Sequence, residues 1–182
     1  SGDLAKKWIR HAIGSPLKNM AVVSDFDNDG DADILGTAGE GSNPNADFFW
    51  ARNDGAGKFD ILSNVSKGDG NFLQGVAVSR FNRQGPLEVA LSWHESGNGV
   101  QKLTVPYRPC LDIWTWQKIS AVSQNEGLSA ADIDRDGDLD LFVSNIGEDR
   151  LYRNDGAGRF ADISEALADD PETWSTSAAM LD

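Results

Sequence analysis

The sequence predicts an all-β chain of four-stranded antiparallel meanders, and three observations carry that prediction. Nineteen of the 182 residues are glycine, and few apolar stripes follow helical spacing. The apolar runs are short and bounded by Asn, Asp and Gly, the signature of strands joined by turns. A block of sequence also recurs along the chain at intervals near 50 residues, as in repeat architectures.

The recurring block has two parts. The stretch from Asp25 to Asp33, DFDNDGDAD, returns from Asp132 to Asp140 as DIDRDGDLD, both fitting D-x-D-x-D-G-x-x-D. Downstream of each lies a second shared stretch, RNDGAGKF from Arg52 to Phe59 and RNDGAGRF from Arg153 to Phe160. A degenerate copy, RFNRQGPLE from Arg80 to Glu88, aligns on Gly85 between flanking Val76, Val78, Val89 and Leu91. Ala178–Asp182 mirrors Ala21–Asp25, so a fourth copy is expected to begin there.

Within the first copy the apolar runs predict strands at 20–25, 33–38, 47–52 and 58–63, with the Asn-Asp-Gly-Ala-Gly stretch supplying the positive-φ residues of a tight hairpin. Phe59, Trp116 and Phe160 open the fourth strand equivalently, and Trp8–Ile13 fits that slot for a preceding unit. Four-stranded units of this length are the blades of a β-propeller. The predicted organisation is a single partial propeller of about three blades over 1–182, cut at both ends: residues 1–19 close a preceding blade and link it on, 20–66, 67–121 and 122–168 are blades, and 169–182 start the next. Exposed blade faces at the cut ends are expected to self-associate.

In each aspartate loop, carboxylates at positions 1, 3, 5 and 9 and the carbonyl at position 7 can converge on one centre, with Gly at position 6 for the sharp turn. Such a set of hard oxygens suits Ca²⁺ better than Mg²⁺, which demands strict octahedral geometry. The expected ligands are Asp25, Asp27, Asp29, the Asp31 carbonyl and Asp33 in one loop, and Asp132, Asp134, Asp136, the Asp138 carbonyl and Asp140 in the other. An EF-hand is excluded because position 12 is Gly36 or Val143, where a bidentate Glu is required. The degenerate copy has Arg80 and Gln84 at ligand positions and is predicted to bind no ion, with the Arg80 guanidinium donating to Glu88 instead. Two calcium sites are therefore expected.

The D-x-D-x-D-G-x-x-D loops followed by R-N-D-G-x-G-x-F hairpins resemble the FG-GAP repeat family, also called VCBS repeats, over nearly the whole chain. The resemblance implies a β-propeller, often seven-bladed, with calcium in the loop between the first two strands of each blade and a mostly extracellular setting. The Phe-Gly-Gly-Ala-Pro stretch of the integrin-type repeats is absent, so the bacterial secreted type is the closer match.

Composition narrows the function. The chain carries 16 Lys and Arg against 29 Asp and Glu, a net charge of −13, which repels a phosphate backbone and argues against nucleic acid. No apolar run is long enough for a transmembrane helix. The lone Cys110 allows no intrachain disulfide, and calcium loops suit millimolar extracellular calcium, so an extracellular, periplasmic or cell-surface location is expected. A binding or adhesion module for a carbohydrate or protein is the leading reading, and the propeller part of a carbohydrate-active enzyme, of the polysaccharide lyase or sugar dehydratase type, is the alternative. The candidate ligand residues are Trp93, His94 and Tyr107: Trp93 and Tyr107 could stack on a sugar ring, and His94 with Tyr107 and Arg108 could serve β-elimination. An exposed histidine in a hairpin is the plainer reading of His94, and no catalytic residue is assigned. Trp114 and Trp116 alternate on one strand face and are assigned to the core.

Overall fold

A computed structural model describes residues 10–14, 20–37, 48–66, 73–94, 99–122, 125–167 and 175–177. They form three antiparallel sheets of four strands each. The first comprises β1 (Ala21–Ser24), β2 (Asp33–Thr37), β3 (Phe48–Asn53) and β4 (Phe59–Leu62). The second comprises β5 (Leu73–Ser79), β6 (Glu88–Trp93), β7 (Val100–Thr104) and β8 (Thr115–Ser120). The third comprises β9 (Asn125–Ala131), β10 (Asp140–Asn145), β11 (Arg150–Asn154) and β12 (Phe160–Asp162). Neighbours in each sheet are neighbours in sequence, so each is the meander that the repeat predicts, a propeller-type blade. The first-sheet strands differ from the sequence expectation by one residue at one or both ends. Trp8, Ile9 and all of Ala178–Asp182 lie outside the described residues; Arg10–Ile13 carry no strand.

Period-two alternation explains how the blades stack. Every residue of β6 is buried. Val89, Leu91 and Trp93 point to one side and join Phe26, Leu35, Phe48 and Trp50 of the first blade. Ala90, on the opposite face, joins Leu141, Val143 and Tyr152 of the third. A strand buried on both faces reads as a continuous apolar run, which is why EVALSW shows no polar alternation at Val89–Leu91.

The second residue of the first two aspartate-type loops is a wedge. Phe26 is 3% exposed, with its ring centroid 6.5 Å from Trp50 of its own blade and 5.4 Å from Trp114 of the next. Phe81, fully buried, packs likewise on Phe160 of the third blade at 6.1 Å. Ile133 occupies the same place in the third loop and is exposed. Burying a phenylalanine this way is worth about 1.5–3 kcal/mol.

Trp114 and Trp116 both serve the core, as expected. Trp114 is fully buried just before β8, and Trp116 lies 5.2 Å from Phe48 while its indole N–H donates to the Ser66 carbonyl at 2.8 Å. Trp93 is also a core residue. It is 2% exposed and meets Phe48 edge-on at 5.7 Å, which corrects the expectation that it stacks on a ligand. Its lack of an equivalent in the other blades reflects its place between two blades, where β6 supplies large side chains to the first.

Candidate metal centres

The two aspartate loops adopt the same backbone. Position 4 is left-handed in both, Asn28 at φ +60° and Arg135 at φ +63°, and the glycine at position 6 lies at +98° (Gly30) and +99° (Gly137). These conformations turn alternate residues inward. Asp25 accepts the amides of Asp29 and Gly30 at 3.1 and 3.0 Å, and Asp132 accepts that of Gly137 at 3.0 Å.

The result in each loop is a gathering of three carboxylates. Asp25, Asp27 and Asp29 offer oxygens within 4.8 Å of one another, as do Asp132, Asp134 and Asp136. In each set one buried oxygen has no hydrogen-bond partner, Asp27 Oδ1 in the first and Asp132 Oδ1 in the second. An all-oxygen cluster with an unsatisfied buried carboxylate oxygen fits a hard divalent cation, which would cancel the mutual repulsion and satisfy the orphaned atom. Asp25, Asp27, Asp29 and Asp132, Asp134, Asp136 are the residues placed to hold it.

Asp33 and Asp140, at position 9, are fully tied to backbone. Asp33 accepts the amides of Phe26 at 3.0 Å and Asn53 at 2.8 Å; Asp140 accepts those of Ile133 and Asn154 at the same distances. Burial pushes both carboxyls above the ordinary Asp range, against the lowering effect of those amides. Each oxygen keeps a second lone pair, so these bonds leave room for a metal contact. They also explain why the two sequence blocks occur together: position 9 of the loop holds the Asn that opens the hairpin.

The side chains of Asp31 and Asp138 lie against the hairpin glycines. Gly55 and Gly156 both have φ +72°, and a Cβ there would sit 2.4 and 2.6 Å from the Asp31 and Asp138 carboxylates. Gly156→Ala is therefore expected to lower stability by about 1–2 kcal/mol through backbone strain alone, read as a lower denaturant midpoint. The hairpin is closed by Asp54, which accepts the Ala56 and Lys58 amides at 2.9 and 3.0 Å, and equally by Asp155 with Ala157 and Arg159 at 2.9 and 3.1 Å.

The loops differ in one respect that the motif does not reveal. Arg52 Nε donates to Asp27 Oδ2 at 2.5 Å and its Nη2 to Asp29 Oδ2 at 3.0 Å, so a fixed cation already shares the first triad and the guanidinium pKa is raised above its ordinary value. The Cys110 thiol lies 3.6 Å from the same Asp27 oxygen, and its pKa is pushed up mainly by burial. Arg153, the equivalent of Arg52, is exposed and forms no ion pair with the second triad among the described residues.

The degenerate copy does contain an internal cation, but from another residue. Lys102 Nζ sits 2.7 Å from Glu88 Oε1, both side chains 4% exposed, and reaches the Gly158 carbonyl at 3.5 Å and the Phe160 ring at 5.8 Å in the third blade. Arg80 instead donates to the Gly85 carbonyl at 2.8 Å and is exposed, which corrects the expected Arg80–Glu88 pair. Strand register is the reason. Thr104 pairs with Glu88, and Lys102, two residues away on the same face of β7, reaches it diagonally.

The candidate ligand residues are not brought together. Glu88 pairs with Thr104 and Ser92 with Val100, so Tyr107 lies beyond one end of the blade and His94 beyond the other, separated by roughly 15 Å of strand. His94 Nδ1 lies 2.9 Å from Glu126 Oε1 of β9, an interblade contact, and Arg108 is bound to Asp112. The base, acid and clamp considered for β-elimination are therefore not assembled. Tyr107 is fully exposed.

Among the described residues, no helix is long and apolar enough to cross a membrane. Residues 132–182 match the family model described as the FG-GAP-like repeat. No curated protein matches the chain.

Proposed function

With an FG-GAP-like repeat at residues 132–182 as the premise, we propose that this chain is a calcium-stabilised binding module that works outside the cell, at the surface or in the periplasm. The carrying observation is the duplicated carboxylate triad, each copy with a buried oxygen left unsatisfied, Asp27 Oδ1 and Asp132 Oδ1. Calcium is structural in this reading. It fastens each loop, the first of which positions the Phe26 wedge, and, through Asp33 or Asp140, the hairpin that follows. Extracellular millimolar calcium would keep such loops filled. At a free concentration a hundred times Kd, one ion adds about 2.7 kcal/mol to folding.

Calorimetric calcium titration of the whole chain, with thermal melts in calcium and in chelator, tests this. Two sites are expected, one abolished by Asp27→Ala and the other by Asp134→Ala, with a melt lowered by chelator. A folded protein that takes up no calcium and melts identically under both conditions would overturn it.

A further inference from the structure

We propose that the cleft between the first aspartate loop and the β7–β8 connection is a binding site for an acidic oligosaccharide, with a uronate carboxylate on Arg80 and the sugar ring against Tyr107. This rests on the reading of the chain as an extracellular binding module and names its site. The cleft has a volume of about 590 Å³ and takes in Asp27 and Asn28 on the first-blade side and Arg80, Pro106, Tyr107 and Pro109 on the second. That is the size range of small-molecule sites. A stable protein interface uses roughly 20–30 residues a side, far more than this cleft supplies.

Tyr107 is presented, not left over. The residue is 100% exposed, yet its loop is firmly held. The Pro109 carbonyl accepts from Asn64 Nδ2 and, at 3.1 Å, from the Trp114 indole. Arg108 grips Asp112 through two bonds of 3.0 and 2.6 Å, and the amides of Leu111 and Asp112 return to the Arg108 carbonyl at 3.0 and 2.9 Å. A ring on a pre-ordered loop loses little entropy when a ligand covers it. Flanking prolines extend the apolar surface, which suits the C–H face of a pyranose, and the phenolic hydroxyl gives the rim a polar tip.

Charge selects the acidic sugar. Among the described residues lining the cleft the one acid is Asp27, and Arg52 takes up its charge at 2.5 Å. Arg80 forms no ion pair among the described residues; a bond to the Gly85 carbonyl holds its guanidinium. An anchored guanidinium without a carboxylate is a preorganised receptor for one.

Calorimetry with trigalacturonate and neutral galactotriose, in calcium, tests the assignment. The uronate is expected to bind at least tenfold more tightly than the neutral sugar. Arg80→Met should remove that preference, and Tyr107→Ala should weaken the uronate at least tenfold, with the melting temperature and calcium stoichiometry of both variants unchanged. Absence of trigalacturonate binding by folded, calcium-loaded protein would overturn the site while leaving the calcium reading standing. Uronate binding that survives both substitutions, as when carboxylates chelate the loop calcium directly, would also overturn it. An equal affinity for the two sugars would overturn the charge assignment.

Discussion

Replacing Lys102 by methionine is expected to lower the unfolding free energy by about 3–5 kcal/mol, the usual result of stripping one partner from a buried ion pair. Glu88 would then be a buried carboxylate whose Oε2 already lacks a hydrogen bond and whose Oε1 would keep only the Thr104 hydroxyl at 3.3 Å. The third blade would also lose the ammonium that faces the Phe160 ring and the Gly158 carbonyl. The double variant Lys102→Met with Glu88→Leu is expected to regain most of the loss, because an apolar pair of similar volume replaces a buried ion pair at little net cost. Denaturant titrations of the wild type, the single and the double variants measure this, and the single-variant loss should be the same in calcium and in chelator. A single variant within about 1 kcal/mol of wild type would show that the lysine does not hold the middle blade.

Trp93→Ala is the second large effect, an expected loss of about 3–5 kcal/mol from an unfilled cavity between the first two blades. The side chain is 2% exposed and its ring meets Phe48 at 5.7 Å, so the void would open against residues of both sheets. Trp93→Phe should retain part of the contact and lose less. The informative comparison is with Tyr107→Ala, which touches an exposed ring and should leave stability unchanged. Trp93→Ala with wild-type stability would return that residue to the list of ligand candidates.

The fold was legible because its signals are local. Strand limits follow from apolar runs and from turn residues such as Asn53 to Gly57, and the loops follow from a spacing that two copies share. The carboxylate triads were legible for the same reason. What sequence could not supply depends on register and on neighbouring blades. Nothing near Glu88 in sequence indicates Lys102, because their contact arises from strand pairing across a hairpin. Arg52 belongs to a motif shared with Arg153, yet only one of the two engages its triad among the described residues. Trp93 and Tyr107 look alike as lone aromatics, and only the stacking of blades shows that one is interior and the other displayed.

The wedge at the second loop position bears on how such repeats diversify. Phe81 remains buried against the following blade although Arg80 and Asn82 stand where the acidic residues flank it in the other loops, with Gln84 at the third acidic position. The candidate ion ligands and the residue that packs blade against blade thus occupy separate, interleaved positions of one nine-residue stretch, and substitution can erase the first while preserving the second. A census of blades based on aspartate spacing would find two where the described residues build three. An apolar second position, followed four residues later by glycine, tracks the architecture more faithfully than the acids do.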